Sequence, residues 1–141
     1  MLQYLVLDKK YVTIIKMSCL FNSLSYFIQE SSNNIRQKIC DYIEQNKPIL
    51  EGIETKDIIT YEENNYIANM RSTNTWGGAI ELQAACNIWK CKIIVHNIRD
   101  NPKTKIEFIP VSEIIENIEN IENVFELEWS GGHYEPVRKN V

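Results

Sequence analysis

A cysteine and a histidine far apart in one chain can form a thiol nucleophile with its base, and this sequence offers four cysteines and two histidines for the purpose. Cysteine is also among the most buried residue types, so each candidate competes with a packing role. Position separates them. After Cys19, the apolar residues Leu20, Leu24, Phe27 and Ile28, joined by Phe21, recur at helical spacing, and Ser18 stands where an N-cap belongs. Cys19 therefore opens a helix, where backbone N–H groups and the macrodipole favour a thiolate. An adjacent imidazolium would lower its pKa further, from about 8.5 into a range of about 3.5–7.5. Cys40, Cys86 and Cys91 fall mid-helix or in a strand, where packing explains them. His96 follows the strand-like run Ile93-Ile94-Val95 and reads as structural. Two cysteines with His96 and His133 could be imagined around zinc, but the spacings match no common zinc pattern, so no metal and no cofactor is expected.

The elements that must position these residues are legible from periodicity. Residues 2–7 and 11–15 are apolar, β-branched runs joined by Asp8-Lys9-Lys10, and predict a hairpin or two short strands. A second helix is predicted over about Asn33–Gln45, with Ile35, Ile39, Tyr42 and Ile43 on one face, ended by Pro48 and Gly52. Residues 56–72 read as helical, with Ile67 and Met70 inward. Trp76-Gly77-Gly78 is a break, read as a buried indole with glycines that let a helix start approach another backbone, and Ala79–Cys86 is rich in helix formers. Cys91–Ile98 and Lys105–Val111 predict a hairpin across Asn101-Pro102, and Val124–Trp129 and Tyr134–Arg138 two further strands around Gly131-Gly132. The near-repeat at 117–123 is too short for a solenoid; Ile114, Ile118 and Ile121 could line a short helix. Helices first and strands later give an α+β class.

Composition limits the partners. At 141 residues the chain is expected to form a single domain over 1–141, burying about 70% of its unfolded surface. It is 44% hydrophobic and 24% charged, and no apolar run approaches the roughly 20 residues of a membrane span. A net charge of −4 with scattered Lys and Arg argues against a nucleic-acid partner, whereas an acidic surface would suit a basic peptide segment or be a solvated face. The N-terminal run lacks a basic n-region and a cleavage site, so an intracellular, cytoplasmic protein is expected. High Ile and Asn usage hints at an AT-rich genome, such as a large DNA virus or an intracellular parasite; for a virus the compartment would be the host cytoplasm.

Three segments resemble one family in order and spacing. Ser18-Cys19-Leu20-Phe21-Asn22-Ser23-Leu24 is similar to the nucleophile segment of the ovarian-tumour (OTU) cysteine proteases. Trp76-Gly77-Gly78-Ala79-Ile80-Glu81-Leu82-Gln83-Ala84 is similar to their central helix signature, and His133-Tyr134-Glu135 to their histidine strand. The resemblance implies a papain-like α+β fold with a small mixed or antiparallel sheet flanked by helices. It also implies deubiquitinase (isopeptidase) activity, with ubiquitin, polyubiquitin chains or a ubiquitin-like modifier as partner to a monomeric enzyme. Cys19 is then the nucleophile and His133 the general base. Gly131 and Gly132 are either a turn or bare backbone for the narrow Gly-Gly tail of ubiquitin.

The chain also departs from the family pattern. A frequent Asp three residues before the nucleophile is Lys16 here, which cannot orient an imidazolium. Other members carry Asp or Asn two residues after the histidine, where this chain has Glu135; residues i and i+2 of a strand share a face, so Glu135 can accept from His133. Backbone N–H groups around Met17 and Cys19, in the turn before the helix, would hold the oxyanion. Two alternatives stand beside this reading: a weakly catalytic ubiquitin-binding pseudoenzyme, favoured by Lys16 and Glu135, and a thiol protease that processes a polyprotein.

Overall fold

The computed structural model describes residues 17–112, 114 and 121–138. The strands expected at 2–7 and 11–15, Lys16, and the stretch around Ile118 lie outside them. Helix α1, Cys19–Ile28, buries Leu20, Phe21 and Leu24, and stops where Gln29 turns left-handed (φ 64°) and donates its N–H to Ser25 O at 2.9 Å. Helix α2, Ser32–Glu44, begins one residue earlier than expected because the Ser31 side chain accepts the Asn34 N–H at 3.1 Å. Its apolar stripe, Ile35, Ile39, Tyr42 and Ile43, is buried as the spacing predicts. The helix expected over 56–72 is two helices, α3 (Thr55–Glu62) and α4 (Tyr66–Arg71). The chain breaks at Glu63, which is fully extended (φ −167°), just before Asn64 and Asn65, residues whose side chains compete with helical backbone hydrogen bonds. Met70 is buried and Ile67 packs against the core.

Helix α5, Ala79–Trp89, starts where the Gly78 N–H donates to Glu81 Oε1 at 2.7 Å, which satisfies one of the orphan donors of a helix start. Two expectations about the preceding segment need correction. Trp76 is not buried: 42% of it is exposed. Gly77 does allow a close approach, but to side chains instead of backbone, since a Cβ there would lie 2.6 Å from Leu20 Cδ2 and 2.9 Å from Phe21 Cζ. The segment thus packs through its glycine onto α1, leaving the indole at the surface.

Four strands form a mixed sheet in the order β2-β1-β3-β4: β1 (Lys92–Asn97), β2 (Thr104–Phe108), β3 (Val124–Trp129) and β4 (Tyr134–Pro136). The expected β1/β2 hairpin is present, antiparallel with Ile93 opposite Phe108. β3 lies parallel to β1, and β4 antiparallel to β3 with Trp129 opposite Tyr134. Ile93 and Val95 of β1 and Leu127 of β3 enter the core with α1, α2 and α5, while the edge strand β2 is largely exposed. The result is an α+β fold in which α1 and β4 are packed neighbours. No helix among the described residues is long and apolar enough to cross a membrane.

Candidate active site

The packing of α1 on β4 brings the two ends of the sequence reading together. Cys19, at the first turn of α1, is 3% exposed, and its Sγ accepts the main-chain N–H of Tyr134 at 3.3 Å. The turn that carries it is tied back by Ser23, whose hydroxyl donates to the Cys19 carbonyl at 2.8 Å. On the other side, Ser130 N–H donates to His133 O at 3.0 Å, closing the turn that leads into β4. His133 Nε2 lies 3.2 Å from Glu135 Oε1, as the shared strand face predicts, with side chains 45% and 64% exposed. Cys19, His133 and Glu135 line one cavity of about 170 Å³, with Asn22, Tyr134 and Arg138 on its walls.

The remaining expected site residues are placed differently. Ser18 occupies the N-cap position, but its hydroxyl caps nothing; it accepts from Arg36 Nη2 at 3.3 Å. The Met17 carbonyl also faces Arg36, at 3.4 Å from Nη2. Gly131 and Gly132 do not line the cavity. They form the β3–β4 turn, where Gly131 has a φ of +100°, a conformation that L side chains rarely adopt. His96 is paired across the sheet, Nε2 to Glu126 Oε1 at 3.0 Å. Cys40, Cys86 and Cys91 are fully buried. Burial pushes the Cys40 thiol up to about 11, and contact with Cys91 together with burial raises Cys86. Both behave as packing residues.

The expected depression of the Cys19 pKa is not what the structure shows. Burial raises it; the N–H groups of Tyr134, Leu20 and Cys19 itself pull the other way and lose. At a site this enclosed, removing the thiolate from water outweighs a few amide dipoles. No hydrogen bond joins Cys19 Sγ to His133 among the described residues. The sign for reactivity follows, because only the thiolate is alkylated. In the free protein, alkylation of Cys19 by a small neutral reagent should climb with a midpoint above the ordinary thiol value of about 8.5. A plateau near pH 7 would instead reveal a preformed thiolate–imidazolium pair.

Arg36, outside the cavity but bound to the backbone before Cys19, is the unforeseen neighbour of the site. It is 1% exposed, on the buried face of α2. Its spacing of three, four and seven residues to Ile39, Cys40 and Ile43 placed it on the apolar stripe, and that was the signal available. Glu81, also buried, was equally unforeseen: its Oε2 accepts from Tyr66 Oη at 2.6 Å, and burial raises its carboxyl.

A family model described as OTU-like cysteine protease matches residues 18–134, most of the chain, with Cys19 and His133 inside the match and Glu135 just beyond it. The chain belongs to the OTU-like cysteine protease family. Among curated relatives, "Deubiquitinase OTUD6B" of Xenopus tropicalis is 29% identical over 94 residues, covering 60% of this chain and 32% of its own length. The chain thus spans about a third of the length of the curated relatives it matches. Among solved structures, the OTUD1 OTU domain superposes with a TM-score of 0.64 at 16% identity, over 86% of this chain and 79% of that one. An OTU deubiquitinase from Wolbachia pipientis wMel bound to ubiquitin gives 0.58 at 19% identity, over 87% and 90%. At these identities the likeness establishes a shared OTU fold, in agreement with the α+β class read from the sequence.

Proposed function

We propose that this OTU-like chain is a deubiquitinating cysteine protease that hydrolyses the bond after the C-terminal glycine of ubiquitin or a ubiquitin-like modifier. The observation that carries it is the convergence of Cys19 with the His133–Glu135 pair on one cavity, in a chain of a cysteine-protease family. The matched relatives named as deubiquitinases, and the Wolbachia structure bound to ubiquitin, support ubiquitin as the modifier. A monomer acting in the cytoplasm, of a host if the source is viral, completes the reading.

The geometry orders the proton transfers. Glu135 engages His133 Nε2, which leaves Nδ1 as the nitrogen able to exchange a proton with the thiol. Since burial keeps Cys19 protonated in the free protein, His133 acts as a base within the substrate complex, where apo contacts tighten. Sγ forms its bond to the glycine carbonyl carbon as its proton passes to Nδ1, and the carbonyl electron pair moves onto oxygen. Collapse of that oxyanion expels the lysine amine, which takes the proton from His133 and leaves a thioester. Water then attacks the thioester as one of its protons passes to His133; collapse expels Sγ, which takes that proton back as the thiol, and the released carboxylic acid ionises. Backbone N–H groups of the turn at Met17 and Cys19 serve the oxyanion.

A panel of ubiquitin dimers, with ubiquitin-like modifiers alongside, tests this. At least one should be cleaved at the glycine carbonyl by the native protein. Cleavage of a polyprotein junction with every dimer left intact would favour the polyprotein-processing alternative.

A further inference from the structure

Arg36 makes no contact with the cavity at Cys19, yet it holds the backbone from which Cys19 projects. Its Nη2 reaches the Met17 carbonyl at 3.4 Å and the Ser18 hydroxyl at 3.3 Å, while Nη1 donates to the carbonyls of Met70 and Thr75, each at 2.9 Å. The guanidinium carbon lies 4.1 Å from the centre of the Phe21 ring, in the first turn of α1. One buried group thus joins the turn before the nucleophile, the helix after it, and the loop that leads into Trp76-Gly77-Gly78. A trans peptide is planar, so a fixed Met17 carbonyl also fixes the Ser18 N–H, pointing away from the guanidinium. Ser18 has no side-chain capping bond to define this turn, so the contacts of Arg36 take that place.

We propose that Arg36 is a positioning residue for acyl transfer: by clamping Met17 and Ser18, the two residues before Cys19, it sets the direction of the Cys19 main-chain N–H, one of the groups that receive the oxyanion. The inference rests on the acyl-transfer reading of Cys19. It separates Arg36 from a residue that only supports the fold, because misdirected N–H groups penalise the tetrahedral state and leave substrate binding and thiol reactivity alone. Lysine keeps the charge but lacks the planar fork that reaches both segments at once.

The test compares native protein, Arg36→Lys and Ser18→Ala in two reactions: cleavage of the ubiquitin dimer that the native protein cuts, and alkylation of Cys19 by iodoacetamide, which builds no oxyanion. Arg36→Lys should lower kcat by about 10- to 100-fold with KM unchanged, the size of loss that a misplacement near 1 Å produces. Alkylation should stay within about threefold of native, since burial and the Tyr134 N–H, which act most strongly on the thiol, are kept. Ser18→Ala, which deletes one acceptor and threatens the fold far less, should show the same pattern at about 3- to 10-fold. If Arg36→Lys does not fold, that pattern in Ser18→Ala decides the matter. Equal losses in cleavage and alkylation, a change confined to KM, or unchanged kcat in a folded variant would overturn the proposal. A native protein that cleaves no dimer would overturn the function itself, a distinct result from an active native protein with indifferent variants.

Discussion

Cys19→Ala is expected to cut ubiquitin-dimer cleavage by roughly 10⁶-fold, the loss found when a member of a nucleophile–base pair is removed. The substitution exchanges a thiol for a methyl at a site 3% exposed and gives up one hydrogen bond, from the Tyr134 N–H. The fold should survive it, so a urea midpoint close to native would separate lost chemistry from lost structure. His133→Ala should approach the same loss, because the buried thiol depends on His133 to take its proton. Residual dimer cleavage within tenfold of native in a folded Cys19→Ala would mean that another group is the nucleophile.

Glu135→Ala should lower kcat by roughly 10- to 10³-fold, less than the roughly 10⁴ lost when a serine triad loses its carboxylate. The difference reflects exposure: a Glu side chain 64% open to solvent, one methylene longer than Asp, holds the ring loosely. Glu135→Gln should keep more activity than Ala, since its amide oxygen still accepts from Nε2. Comparing kcat for the three proteins on the cleaved dimer checks the order. Full activity in Glu135→Ala would leave a Cys19–His133 dyad or another acceptor, and the first to examine would be Glu128, which faces Glu135 across the β3–β4 register.

The parts of the site legible in the sequence were those governed by local period. The 3.6-residue pattern after Cys19 put the cysteine at a helix start, and the two-residue pattern put His133 and Glu135 on one strand face, where they meet. The β1/β2 hairpin and the stripe of α2 were readable for the same reason. What the sequence hid depends on tertiary burial. The fate of the Cys19 pKa is set by how deeply α1 packs on β4, which no helical pattern encodes. Trp76 reads as core by residue type, yet Gly77 takes the contact with Leu20 and Phe21. Arg36 reads as surface by type, and only three backbone segments converging on it make its burial tolerable. The split between α3 and α4 follows from Asn64 and Asn65, a local signal outweighed in the reading by the apolar spacing around it.

The central claim is that Cys19, and no other cysteine, is the nucleophile toward the modifier's C-terminus. Its most direct test is ubiquitin carrying a thiol-reactive electrophile in place of its terminal carboxylate, incubated with the native protein and mapped by peptide mass spectrometry. The account expects a single adduct, on the peptide containing Cys19, and none in Cys19→Ala. An adduct on Cys40, Cys86 or Cys91, all fully buried, or persistent labelling of Cys19→Ala would contradict it.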